Sequence, residues 1–149
     1  RAINTAVETC AYADEDHFGS IVERVDWLFI DLKHLDTGAH LRWTGRSNDL
    51  ILHNARLASS ILEARGKALV VRQVVVPGVN DGRNISDLAD FLCSLPLVTM
   101  VELLPYHNYG AYKYDLLGHC YGLKDIALPS NEAMDIYRNM LKARGLTVA

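Results

Sequence analysis

The sequence predicts an α/β fold built on a parallel sheet, and two observations carry that reading. Four apolar, β-leaning runs alternate with segments of helical period, as expected of strands joined by right-handed βαβ crossovers. Each run also closes on or carries polar residues: Glu8-Thr9, Asp31-Leu32-Lys33, Arg72, and Glu102 through His107. Parallel β/α folds place their reactive groups at the carboxyl ends of strands, so chemistry is to be sought there.

The elements follow in order. Residues 3–9 lean to strand, and His17 to Val25 carry a short helical pattern. Asp26 to Leu32, DWLFIDL, is almost continuously apolar, as in a strand covered on both faces. Ser47 is suited to cap a helix with the stripe Leu50, Asn54, Leu57, Ala58, Ile61 and Leu62, which Gly66 ends in the left-handed conformation. Leu69 to Val76 is the strongest β run, and Pro77 to Gly82 then supply turn formers in series. Ile85, Leu88, Ala89, Leu92 and Leu95 keep helical spacing, and Thr99 to Leu104 form the fourth strand. A loop of roughly two dozen residues comes next, a length uncommon without a functional reason. Pro129 and Ser130 open a last helix through Met134, Tyr137 and Leu141, closed by Gly145, and Leu146 to Val148 add a short edge strand. The chain begins inside or immediately before a strand, so the sheet looks like a barrel cut open. An open first edge seeks a partner strand, which predicts self-association or helices rearranged over that edge.

Composition narrows the function. The chain has 149 residues, half of them hydrophobic, with 15 Lys and Arg against 18 Asp and Glu. That length suits one compact domain over residues 1–149 with a real core. The basic residues are scattered, so no stripe suits a nucleic acid, and no run suits a membrane span or a signal peptide. The expected compartment is the cytoplasm. Cys10, Cys93 and Cys120 are too far apart for a metal knuckle or a disulfide framework. Cys93 reads as a small buried hydrophobe on a helix, Cys120 as a free loop thiol, and Cys10 as the one thiol near the strand ends.

Several residues invite chemical readings. Asp31 and Lys33 lie two apart and project from one strand face, where each needs the other, a metal or a charged ligand; if the strand has already ended, both are solvated rim charges. Arg72 interrupts five Val residues, and its planar fork suits a carboxylate or phosphate, or else a structural pair with Glu102 on the next strand. His107 can hydrogen-bond a ligand, transfer a proton or bind metal, or be a polar loop residue. Glu8, Thr9 and Asp31 offer hard oxygen ligands to a cation. No HExxH, GxGxxG, P-loop or GxSxG pattern occurs, which speaks against a zinc, dinucleotide, P-loop or α/β-hydrolase site.

Taken together, ETCAYA (8–13), DLKHLD (31–36), LRWTGRSN (41–48), VRQVVVPGVND (71–81), VELLPYHNYG (101–110), YKYDLLG (112–118) and LKARGL (141–146) occur in one order. In that order the chain resembles the glycyl-radical-enzyme activating enzymes, the pyruvate formate-lyase activase group of the radical S-adenosylmethionine superfamily. The resemblance spans essentially the whole sequence. It implies the carboxyl-terminal four β/α units of a partial (β/α)6, TIM-like barrel, with the first two strands and the CxxxCxxC loop that holds a [4Fe–4S] cluster outside this chain. No cysteine here substitutes for that loop, because three thiolates must converge on one cluster. The covered residues alone are therefore expected to be inactive.

The resemblance also implies roles. Arg72 and Lys33 match positions near the carboxylate end of S-adenosylmethionine, and Asp31 and His107 positions nearer its adenosine. Glu8, Thr9, Asp31 and the Phe29 carbonyl match a monovalent-cation site. The implied reaction is reductive cleavage of S-adenosylmethionine to a radical that removes hydrogen from a backbone glycine of a partner glycyl radical enzyme, with flavodoxin or ferredoxin as electron donor. One departure stands out: the family often has a small residue and then a Gly after the Thr, whereas this chain has Cys10-Ala11, losing a position free to adopt positive φ. Two other readings are a cluster-free binding module on the same half-barrel and a radical S-adenosylmethionine enzyme acting on a small molecule.

Overall fold

The computed structural model describes residues 3–149. Its strands are β1 (Ala6–Thr9), β2 (Trp27–Asp31), β3 (Ala68–Val75) and β4 (Met100–Pro105). The helices are α1 (Glu15–Val22), α2 (Thr37–Thr44), α3 (Asp49–Arg65), α4 (Arg83–Cys93), α5 (Ala111–Leu116) and α6 (Asn131–Lys142). The strands pair in parallel in the order β1-β2-β3-β4. Each crossover therefore returns one strand further along, the order of β/α barrels and not of doubly wound sheets, whose order reverses at a switch point. The expected α/β class and parallel sheet are what the chain forms, with β1 at one edge.

Helices cover one face of the sheet. Leu28, Ile30, Val71, Val75, Val101 and Leu103 point from the strands into a core shared with Val22, Ile51, Leu62, Ile85, Leu88, Leu92, Met134 and Leu141. Trp27, Phe29 and Asp31 alternate with the buried positions and remain partly exposed. The apolar run of β2 is thus not covered on both faces as its composition suggested. Its other face carries the residues of chemical interest.

Several local expectations change. Asn48, not Ser47, occupies the N-cap of α3, and the Ser47 hydroxyl instead donates to Asp49 Oδ2 at 2.6 Å. The buried stripe of α3 is Ile51, Asn54, Ala55, Ala58, Ser59 and Leu62, so Leu50, Leu57 and Ile61 stand half-buried beside it. Small residues at positions 55, 58 and 59 allow the helix to lie close to its neighbours. Cys93 is exposed, because α4 turns Ile85, Leu88, Ala89 and Leu92 inward and the next position swings off that face. The terminal segment makes a single parallel bridge, Val101 with Val148, in place of a full edge strand. The long loop contains α5, which buries none of its residues.

The amino ends of the strands are tied by one carboxylate. Asp26 Oδ2 accepts from the Thr5 backbone N–H at 2.8 Å and from its hydroxyl at 3.1 Å, while Oδ1 accepts from Lys67 Nζ at 2.6 Å. Lys67, aided by the Thr5 N–H, pulls the Asp26 carboxyl down to about 2. A depressed folded-state value contributes stability above the unfolded pKa of about 3.9, and that contribution disappears as pH falls toward 2. Thermal unfolding at pH 4, 3 and 2 should show a smaller acid loss in Asp26→Asn than in the wild type. An identical loss would remove Asp26 from the acid response.

No helix among the described residues is long and apolar enough to cross a membrane.

Candidate functional site

Parallel pairing puts the predicted residues at one end of the sheet. Asp31 is in register with Arg72, Arg72 with Glu102, and Glu8 with Phe29. Arg72 therefore starts one pleat beyond Glu8. Its guanidinium folds back over the Phe29 ring, 4.3 Å from the ring centroid, and spans three strands to reach Glu8 on β1. Arg72 Nε donates to Glu102 Oε2 and Nη1 donates to Glu8 Oε1. Glu102 first, then Glu8, raises the pKa of Arg72 and keeps it charged. The structural pair with Glu102 that the sequence left open to Arg72 is formed, Glu8 joins it as a second carboxylate, and Arg72 also lines an open cavity.

That cavity holds about 350 Å³ and is lined by Glu8, Thr9, Cys10, Phe29, Asp31, Arg72 and Leu104. Asp31 ends β2 and Lys33 lies past the strand; Lys33 Nζ donates to Asp31 Oδ2 at 2.5 Å. Asp31 Oδ1 is buried and has no hydrogen-bond partner among the described residues. An orphaned carboxylate oxygen is costly and fits a site that takes a cation or a ligand donor. Lys33 faces two neighbouring cavities, of about 380 and 270 Å³, the second sharing Cys10 with the first. His107 lies two residues beyond β4, exposed and stacked on Tyr109 at 4.5 Å between centroids. Glu8, Thr9, Asp31 and Arg72 thus share one cavity that Lys33 and His107 do not line.

The cation ligands are not arrayed as a ready set. Glu8 is turned to Arg72, and Thr9 Oγ1 accepts from the Ala11 N–H at 3.0 Å. Among the described residues no group of three or more His, Cys, Asp or Glu is placed to hold a metal ion. Ala11 adopts φ +57° despite its Cβ and is fully buried. The left-handed turn that glycine would make easily is made here by alanine, at a cost of about 1–2 kcal/mol. Asn54 holds it, donating from Nδ2 to the carbonyls of Ala11 at 2.8 Å and Ala13 at 2.9 Å.

Buried amides position the β2–α2 loop. Asn80 Nδ2 donates to the carbonyls of Lys33 and Val74, both at 2.8 Å, and Oδ1 accepts from the Val76 N–H at 2.7 Å. Asn48 Nδ2 donates to the carbonyls of His34 and Leu35 at 2.9 Å, and Asn84 Oδ1 accepts from the Leu35 N–H at 2.8 Å. The sequence reading missed Asn48, Asn80 and Asn84, whose residue type signals turns as readily as burial.

A larger cavity, about 550 Å³, lies elsewhere, between the β2–α2 and β3–α4 loops beside His34, Arg42, Asp81 and Arg83. It contains none of the predicted residues, and its cations are offset by Asp36, Asp81 and Asp87. The smaller cavity is the better candidate, because Glu8, Asp31 and Arg72 line it from three adjacent strands.

No protein-family model matches the chain. Over 146 residues it is 32% identical to the trans-4-hydroxy-L-proline dehydratase activating enzyme of Clostridioides difficile, covering 96% of this chain and 47% of that protein. Over 139 residues it is 34% identical to the pyruvate formate-lyase-activating enzyme of Staphylococcus aureus (strain USA300), covering 89% and 54%. The chain is homologous to the glycyl-radical-enzyme activating enzymes. A crystal structure of a domain of pyruvate-formate lyase-activating enzyme from Bacteroides vulgatus ATCC 8482 superposes with a TM-score of 0.78 at 28% identity, covering 99% of this chain and 80% of that one. The chain spans about half the length of the curated activating enzymes it matches. The four-stranded sheet is accordingly a part of the activating-enzyme fold.

Proposed function

We propose that residues 1–149 form one unit, the carboxyl-terminal part of a partial radical S-adenosylmethionine barrel, and that the whole protein activates a glycyl radical enzyme. The homology supports the activase reading. The observation that carries the site is Arg72, held over Phe29 with its fork in a cavity at the strand ends. S-adenosylmethionine bound there, at a [4Fe–4S] cluster on residues outside this chain, supplies the reductive cleavage and the hydrogen abstraction from glycine.

This chain's residues bind and orient. Arg72 takes the ligand carboxylate in a charge-assisted pair, with Lys33 adding positive charge at that end. Asp31 serves the adenosine side of the ligand, and so does His107, from the loop after β4 and outside this cavity. A monovalent cation draws on Thr9, Asp31 and Glu8 once Glu8 turns from Arg72. The partners are the glycyl radical enzyme as protein substrate and flavodoxin or ferredoxin as electron donor, in the cytoplasm. The exposed β1 edge pairs with the rest of the barrel in the whole protein, or with a second copy when this part stands alone.

The test is made on the full-length protein. Its reading frame should carry CxxxCxxC upstream of Arg1, and the cluster-loaded enzyme, mixed anaerobically with reductant, should yield 5′-deoxyadenosine and a glycyl radical doublet on its partner by electron paramagnetic resonance. A frame without that motif, or a loaded enzyme that leaves S-adenosylmethionine intact, overturns the proposal.

A further inference from the structure

We infer that Glu8 is an internal competitor for the ligand carboxylate, occupying the Arg72 fork in the ligand-free site and leaving it when ligand enters; this rests on the proposed placement of S-adenosylmethionine. The two carboxylates on Arg72 are not equivalent. Glu102 stands on the adjoining strand in direct register with Arg72, takes Nε, and has a side chain only 20% exposed. Glu8 comes from the edge strand two strands away, takes the outer Nη1, and has a side chain 68% exposed.

Breaking the Glu102 pair would strand a largely buried charge, whereas Glu8 can turn into solvent. An incoming carboxylate therefore displaces Glu8 and leaves Glu102 as the anchor. Phe29 supports the exchange, since the guanidinium rests on its ring at 4.3 Å and need not move when the acid on Nη1 changes. The side-chain length at position 8 decides whether the competitor exists. Glutamate spans the gap across β2, and aspartate, one methylene shorter, would leave Nη1 free while keeping the negative charge.

Glu8 thus sets the affinity of the site for carboxylate ligands. Its displacement costs the ligand an exposed ion pair, roughly a two- to fivefold loss of affinity.

The test titrates full-length, cluster-loaded protein with S-adenosylmethionine and with decarboxylated S-adenosylmethionine, by calorimetry. Tetramethylammonium is the sole monovalent cation, so that no cation recruits Glu8. Glu8→Asp should bind S-adenosylmethionine about two- to fivefold tighter than the wild type and bind the decarboxylated ligand equally well. Glu102→Gln should weaken S-adenosylmethionine binding, because Arg72 loses its anchor. If the wild type binds and Glu8→Asp binds no tighter, or tightens both ligands alike, the competitor role is wrong and the cofactor reading stands. A wild type that binds neither ligand, in tetramethylammonium or in potassium, overturns the cofactor reading and the competitor role with it, and one that binds only in potassium overturns the competitor role alone.

Discussion

Arg72→Ala in the full-length, cluster-loaded protein is expected to weaken S-adenosylmethionine binding by about 30- to 1,000-fold, measured by calorimetry. That range corresponds to the roughly 2–4 kcal/mol typical of truncating one partner of a hydrogen-bonded charge pair. Two effects act together. The ligand loses its carboxylate anchor, and Glu8 and Glu102 are left without the cation they share, facing an incoming anion. Arg72→Lys keeps the charge but cannot serve two acids through a planar fork, so its affinity should fall between the two. Affinity unchanged in Arg72→Ala would remove this residue, and with it the cavity, from the cofactor site.

Asn80→Ala should lower unfolding stability by about 2–4 kcal/mol, read from the urea midpoint of the chain. Asn80 is 4% exposed, and its amide closes three hydrogen bonds to backbone groups on both sides of the sheet end. Alanine leaves the Val76 N–H and the Lys33 and Val74 carbonyls unpaired where water has little access. Asn80→Asp is the sharper variant: it can still accept from Val76, yet it presents oxygen to two carbonyls that need a donor. It should be no better than alanine. A stability like that of the wild type in either variant would show that the loop does not depend on this amide.

The sequence disclosed the features that rest on periodicity. All four strands and α3, α4 and α6 follow from apolar spacing, because each buries a long stripe or a continuous run. Helix α2 was not legible in that way: it buries only Ala39 and His40, and its bounds come from caps, Asp36 accepting from the Ala39 N–H at 2.7 Å and Gly45 at φ +75°. Asp36 and Gly45 were the available signal.

At the site, the strand-end rule brought Glu8, Thr9, Asp31 and Arg72 to one end of the sheet. It did not reveal that Arg72 bridges to Glu8, 64 residues away, because that contact depends on a long side chain folding back across Phe29. The left-handed backbone at Ala11 was signalled only through the family resemblance, which sets a Gly at that position. Nothing in an alanine announces positive φ, and the conformation follows from Asn54 gripping the neighbouring carbonyls.

The fastening of the strands by Asp26 has an evolutionary reading. It joins Thr5, Lys67 and the start of β2 at the end of the sheet remote from Arg72, so alignment of the strands does not depend on the residues around the cavity. Loops at the cavity end can then vary in sequence while the opposite end keeps the register. A library randomised at Cys10, Tyr12 and 107–110 should yield mostly folded variants, whereas the same effort spent on Thr5, Asp26 and Lys67 should not.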